Sequence, residues 1–254
     1  MISLHVLLFL LVVASGIANG APLQEVVQKT FPLSPKTAIS IRNTDGTIYI
    51  YGSEVPELKV YARKKAYSKE RLDGISINVS IDGDKATIDT AYPPKPDGLS
   101  LKDRSGTVDY VILVPETCAL PQVELVTGEI IISGLRGPTV NARLTTGIIW
   151  TLNSFSALDL SVGQGGIGVV YDWWETMPLA LRTELKQGDV TVVLPPDPSV
   201  RLDAASPGGW IKNQFGEERG QRDDHNLVTT IGSDGGAEFK IRTSSGNIRI
   251  ERGY

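Results

Sequence analysis

The 254-residue chain carries 25 Lys and Arg against 29 Asp and Glu, a net charge of −4, and 41% of its residues are hydrophobic. So much apolar content over this length builds a core and excludes a disordered chain. The mild acidity argues against a nucleic-acid binder, which shows a basic face, and the single cysteine excludes an intrachain disulfide.

The chain opens "MISLHVLLFLLVVASGIANG", an apolar run over residues 6–14 followed by small residues, with Ala18 and Gly20 at the −3 and −1 positions of a cleavage site. This predicts a secretory signal over residues 1–20, removed before Ala21, although its start holds His5 and no Lys or Arg. The run is shorter than the roughly 20 residues of a membrane-spanning helix. The mature 234 residues (254 minus 20) are therefore expected without a transmembrane span, at a periplasmic, cell-surface or extracellular location. Residues 21–38, with Pro22, Pro32 and Pro35, read as an extended lead-in.

From residue 39 one pattern recurs: an apolar strand, a few small polar residues, a glycine, then alternating branched side chains. The copies are "ISIRNTDGTIYI" on Gly46, "VELVTGEIII" on Gly128, "ARLTTGIIWT" on Gly147, "LSVGQGGIGV" on Gly165, "ELKQGDVTV" on Gly188 and "KIRTSSGNIRI" on Gly246. Two residues after each glycine stand Ile48, Ile130, Ile149, Ile167, Val190 and Ile248; four after stand Ile50, Ile132, Thr151, Val169, Val192 and Ile250. Strand alternation turns these positions inward as a stripe, and the glycine supplies the corner before them. From Gly128 the spacing of 19, 18 and 23 residues fits one coil of a β-solenoid better than a sandwich with strands every 8–12 residues. Successive copies are expected to pair in parallel.

Between the first two copies lie "LKVYARKK" and the hairpin-like "ISINVSIDGDKATIDTAY", turning at Asp82-Gly83. A proline-punctuated loop, "PPKPDGLSLKDRSG", follows, and the whole segment is expected to cap the N-terminal end of the stack. Helix is expected for a turn or two at most, over 68–74 and 172–178. At the other end the chain stops at "IRIERGY", directly after a copy, leaving the final strand either exposed or covered by the 203–235 insertion.

"SVGQGGIGVV" spells G-x-G-x-x-G with Gly163, Gly165 and Gly168. A dinucleotide loop needs a helix to begin there, yet "VVYDWWETMP" follows, β-branched, aromatic and stopped by Pro178. Gly165 is instead the corner of its copy. Gly165, Gly166 and Gly168 also approach a calcium-binding repeat, but Val170 stands where its Asp ligand would be. No cofactor and no metal site is expected.

Four groups could carry chemistry. Asp223, Asp224 and His225 would suit metal or acid–base work, yet neighbours in an extended segment point to opposite sides, as at a solvated loop tip. Lys59, Arg63, Lys64 and Lys65, continued by Lys69 and Arg71 and interleaved with Tyr61 and Tyr67, form a candidate polyanion surface, or else a charge-protected edge strand. Tyr171, Trp173 and Trp174 form a candidate ligand surface, because consecutive tryptophans in a strand cannot both face a core; packing under a loop is the alternative. Cys118, in "PETCALP", reads as a small buried hydrophobe.

The T-x-x-G-x-I-x-I corners, the strand-V-P and strand-L-P steps at Val114-Pro115 and Leu194-Pro195, and the closing "FKIRTSSGNIRIERG" resemble the bacterial exported β-strand-repeat family of unknown function that bears an adhesin label. The resemblance covers residues 39–254 and departs at the "GQGG" corner, at Thr151 and in the long insertion before the last copy. It implies an all-β, right-handed, single-stranded β-helix-like solenoid. The function expected is a non-catalytic, envelope-associated adhesion or scaffold module, with cell-wall or surface polysaccharide or another envelope protein as partner. One rival is a polysaccharide-active enzyme using Asp223, Asp224 and His225, or Glu129 with Asp189. Against it, the residues after the corner glycines are Thr47, Glu129, Ile148, Gly166, Asp189 and Asn247, which is no acidic stripe. The other rival is a surface protein that self-assembles through its terminal strand.

Overall fold

The computed structural model describes residues 9–11, 21–95, 105–215, 220–222, 225–232 and 236–253. In chain order its strands begin with β1 (Phe9–Leu11), β2 (Leu23–Pro32), β3 (Ala38–Ser53) and β4 (Glu57–Ala66). After a short helix, α1 (Lys69–Gly74), come β5 (Ser76–Asp82), β6 (Lys85–Ala91), β7 (Thr107–Pro115), β8 (Ala119–Ser133), β9 (Thr139–Leu152), β10 (Ala157–Val170) and β11 (Ala180–Leu194). The last are β12 (Val200–Ala205), β13 (Ile211–Asn213), β14 (Gly220–Arg222), β15 (Asn226–Ile231), β16 (Ala237–Ser245) and β17 (Ile248–Arg252). The turn of helix expected over 68–74 is α1, where the Ser68 hydroxyl accepts the Arg71 N–H at 3.2 Å. Residues 172–178 are bends and irregular chain instead, and Tyr171 beside this segment and Trp174 within it pack onto the core.

Each repeat copy is one long strand bent at its glycine, which leaves a limb before the corner and a second limb after it. In β16 and β17 the same strand is broken at the corner. Equivalent glycines pair with one another: Gly46 with Gly128, Gly128 with Gly147, Gly147 with Gly165, and Gly165 with Gly188. At Gly147, φ is +135° and a Cβ would stand 1.8 Å from the Gly128 carbonyl oxygen. The backbones at the corner are thus too close for any side chain, and the conformation is one that only glycine occupies readily.

The spatial order of the six copies is their order in the sequence, with all pairings parallel: β3, β8, β9, β10, β11, then β16 and β17. Both long interruptions loop out beyond the ends of this stack. Outside β3, β6 adds to the first limb and β7 to the second, each in parallel. Antiparallel strands follow, β5 on β6, β4 on β7, and β2 on β4. Beyond the last copy, β12 and β13 pair in parallel with β16 and β17, and β15 and β14 continue antiparallel from β12. The terminal strand is therefore paired on both sides: β17 lies between β11 and β13. Self-assembly through an open terminal strand fails on this point, because the strand it requires already has two neighbours. Within the segment expected to be removed on export, Phe9–Leu11 pair antiparallel with Val26–Gln28 of β2.

The inward stripe fills the space between the limbs. Ile48, Ile130, Ile149, Ile167, Val190 and Ile248 are all buried, as are their partners two residues on. Return loops close the remaining side with Leu135, Phe155, Tyr171 and Leu179. Cys118 is buried in the same core, and burial pushes its thiol up to about 12, which leaves it protonated and unreactive at neutral pH.

Candidate binding surface

Because side chains alternate, the outward positions of the two limbs can be compared strand by strand. On the first limb they are mostly polar and many are ionic, with Val126 the exposed apolar residue on β8. Arg42 makes a bidentate pair with Asp89 at 2.7 and 3.0 Å, Arg242 meets Asp203 at 2.5 Å, Arg201 meets Glu238 at 3.2 Å, and Arg182 pairs with Glu184. A shallow groove of about 370 Å³ on this side is bordered by Arg42, Glu124, Arg143 and Lys186.

On the second limb apolar side chains dominate the outward positions of β3, β8 and β9, whereas Asp189, Thr191 and Arg249 stand outward on β11 and β17. One row runs Tyr61, Val111, Tyr49, Ile131, Trp150 across β4, β7, β3, β8 and β9, each residue in register with the next. A parallel row holds Leu113, Tyr51, Ser133, Leu152, Val170 and Val193. Tyr51, Val111 and Ile148 are each about 40% exposed, at 40%, 39% and 41%. The rings of Tyr49 and Tyr51 lie parallel, 3° apart in plane and 6.4 Å between centroids. A contiguous apolar patch on a sheet face is the kind of surface that marks a contact site.

Gly168 belongs to this face. A Cβ there would stand 2.0 Å from ring carbons of Trp150, so the indole lies across the glycine of the next strand. The third glycine of the G-x-G-x-x-G string thus seats an aromatic ring, and the second, Gly165, forms a corner.

A groove of about 420 Å³ opens at the β4 end of the apolar row, lined by Val26, Tyr49, Tyr61, Arg63, Asp109 and Val111 among others. The Tyr49 hydroxyl is held above its usual range by partial burial and then by the charge of Glu129.

The structure separates the predicted cations. Lys59 pairs with Glu57 at 3.0 Å, Lys65 with Asp109 at 2.5 Å, and Lys64 is buried against Glu25 at 2.8 Å. Lys69 is paired with Asp73 at 2.7 Å, and Arg71 is buried, donating to the carbonyls of Pro93, Pro94 and Ser105. Of Lys59, Arg63, Lys64 and Lys65, Arg63 alone makes no ion pair among the described residues, and it is exposed in the groove.

The predicted aromatic group is likewise divided. Tyr171 is buried with its hydroxyl donating to the Ser154 carbonyl at 3.2 Å, and its ring meets Phe155, Trp174 and Phe239. Trp174 packs on the core, whereas Trp173 is 46% exposed, its Nε1 donating to Glu175 at 2.8 Å. Glu175 in turn holds Arg136 in a two-bond pair at 2.6 and 3.1 Å, which keeps its carboxyl below the usual range.

The carboxylates do not converge. Glu129 and Asp189 stand in one column three strands apart, through Ile148 and Gly166, a span of about 14 Å at the usual strand spacing. Paired carboxylates of glycosidases lie within about 9.5 Å. Asp189 is further occupied by Arg249 at 3.0 Å and by the Asn247 N–H at 2.8 Å. Asp223 and Asp224 lie outside the described residues, and His225 Nδ1 lies 2.8 Å from the Gly209 carbonyl. No group of three or more His, Cys, Asp or Glu among the described residues could hold a metal ion, and no described helix is long and apolar enough to cross a membrane.

The residues directly after the corner glycines give no sign of the aromatic row. The signal was available two residues further on, at Tyr49, Ile131 and Trp150.

A family model described as Toastrack DUF4097 matches residues 36–251. Among solved structures, a candidate cell adhesion protein from Clostridium sporogenes ATCC 15579 superposes with a TM-score of 0.55 at 18% identity, covering 90% of this chain and 100% of that one. A candidate adhesin from Bacteroides fragilis NCTC 9343 gives a TM-score of 0.33 at 10% identity, covering 89% of this chain and 97% of that one. The first likeness shows a shared fold. No curated protein matches the chain.

Proposed function

The chain belongs to the Toastrack DUF4097 family, and on that premise we propose that it is a non-catalytic, exported adhesion or scaffold module that makes contact through the apolar outer face of its second limb. The carrying observation is the asymmetry of the two limbs: one outer face is neutralised by ion pairs, the other presents Tyr49, Tyr51, Ile131, Ile148 and Trp150 to solvent or to a partner. A surface that only needed to be soluble would not concentrate apolar side chains on one side. Right-handed winding, a signal over residues 1–20 and a capping role for residues 58–106 belong to the same proposal. Trp173, exposed on a return loop, is a second contact point within it.

The test is sedimentation of the purified chain with isolated cell-wall and polysaccharide fractions. Wild type is expected to co-sediment, the Ile148→Ser/Trp150→Ala form to remain in the supernatant, and Trp173→Ala to lose less. Release of reducing sugar from any fraction would refute the non-catalytic assignment, and co-sedimentation unchanged by Ile148→Ser/Trp150→Ala would move the contact off this face.

A further inference from the structure

Resting on that adhesion proposal, we infer that the groove at the β4 end of the apolar row binds an acidic polysaccharide, with sugar rings lying on Tyr61, Tyr49 and Trp150 and a sugar carboxylate held by Arg63.

The geometry favours a linear polymer. Tyr61, Val111, Tyr49, Ile131 and Trp150 are successive register partners across five strands, so the row is straight and runs about 19 Å at the usual strand spacing. Tyrosine and tryptophan present an apolar ring with a polar end. A pyranose matches that surface, since it has an apolar C–H face and a rim of hydroxyls. A peptide strand is a poorer occupant. Strand addition needs unpaired main-chain donors and acceptors, and β4, β7, β3, β8 and β9 each already have a strand on both sides.

The charge pattern selects an anion. Of Lys59, Arg63, Lys64 and Lys65 on β4, only Arg63 lines the groove, and the other three are neutralised by Glu57, Glu25 and Asp109. The Asp109 carboxylate in the groove wall is bound by Lys65 at 2.5 Å, which leaves the Arg63 guanidinium without an ion pair among the described residues. Glu129 lies on β8, across β3 and β7 from Arg63, and so borders the row at a distance from the anion-binding end. A guanidinium beside aromatic walls offers planar, two-point recognition of a carboxylate. It would not distinguish neutral glycans, which the rings alone hold more weakly.

The experiment is electrophoresis of the purified chain through gels containing polygalacturonate or, in parallel, dextran, with dissociation constants taken from the retardation. Polygalacturonate is expected to retard wild type and dextran to retard it little. Arg63→Gln should weaken polygalacturonate binding about tenfold and flatten its salt dependence, Tyr61→Ala should weaken it too, and Lys240→Gln, an exposed cation on the first limb, should leave it unchanged. Thermal melting that matches wild type establishes that each variant is folded. Equal retardation by the two polymers, or wild-type binding by Arg63→Gln, overturns the inference. If polygalacturonate fails to bind while cell-wall fractions still co-sediment, this inference falls and the adhesion proposal stands; loss of both overturns both.

Discussion

The two limbs of each coil are built on the same alternation, meet at the same glycine and share one core, yet over β3, β8 and β9 their outer faces differ in chemistry. Before the corner, Arg42, Glu124, Arg143, Arg182 and Glu184 face outward; after it, Tyr49, Ile131, Ile148 and Trp150 do. The stack thus uses one set of constraints for folding and leaves a second set free. Inward positions must be branched and apolar because every coil presses on the next. Outward positions answer to solubility on one side and to a partner on the other.

The corner that divides the limbs should be the most sensitive point. Gly147→Ala forces a Cβ to 1.8 Å from the Gly128 carbonyl oxygen at φ +135°, in a stack that cannot part without breaking strand pairing on both sides. A loss of at least about 4 kcal/mol is expected, or failure to fold. Gly83 is the matched control: it has φ +55° but open space around it. Gly83→Ala should cost about 1 kcal/mol, and urea denaturation of both variants separates crowding from backbone conformation.

Adjacent residues then sharpen the inside-against-outside contrast. Ile149 is fully buried and Ile148, its neighbour, is 41% exposed. Ile149→Ala should lose about 3 kcal/mol through transfer and cavity terms, with no specific effect on wall binding per folded molecule. Ile148→Ala should change stability by about 0.5 kcal/mol or less and yet reduce co-sedimentation. Equal stability losses at the two sites would show that the second-limb face is covered within the chain itself.

The core also makes alkaline pH a probe of its intactness. Burial pushes the Cys118 thiol up to about 12, and burial is also the main cause that raises the Tyr110 hydroxyl to about 12, against a lowering contribution from its hydrogen bond with Thr90. Both groups are acids whose folded pKa lies above the unfolded one, so above about pH 8.5 for the thiol and about pH 10 for the phenol the unfolded chain releases protons that the native state keeps. Their contribution is complete below those values and is lost as pH rises towards 12. Between pH 9 and pH 10, urea denaturation should register a fall in stability on the order of 1 kcal/mol from the thiol, and Cys118→Ala should flatten that interval.

Much of the fold was legible because the repeat is local: a glycine followed by two inward branched residues specifies corner, alternation and register within five positions. The route of the two interruptions was not. Nothing within "IRIERGY" says that Ile248 has Ile211 as a partner, since that pairing joins residues 37 positions apart (248 minus 211). The cation cluster misled for the same reason, as Glu25 and Asp109, which neutralise Lys64 and Lys65, lie far from them in sequence. Tyr171, Trp173 and Trp174 stood out as a string of aromatics, whereas Tyr49, Ile131 and Trp150 are scattered in sequence and become a row only when coils stack in register.

Thr151 is the remaining exception to the inward stripe, and it permits the smallest and most local test. Its column neighbours Ile50, Ile132, Val169, Val192 and Ile250 are all apolar and buried, while its Oγ1 is buried with no hydrogen-bond partner among the described residues. An unmatched hydroxyl in such surroundings costs free energy that no contact returns. Thr151→Val keeps the shape and removes that cost, so the urea midpoint should rise by an amount equivalent to about 1 kcal/mol, with wall binding unchanged. A lower midpoint would mean that the hydroxyl is satisfied in solution. In that case the copy on Gly147 would differ from the others by design of its interior as well as by the tryptophan on its outer face.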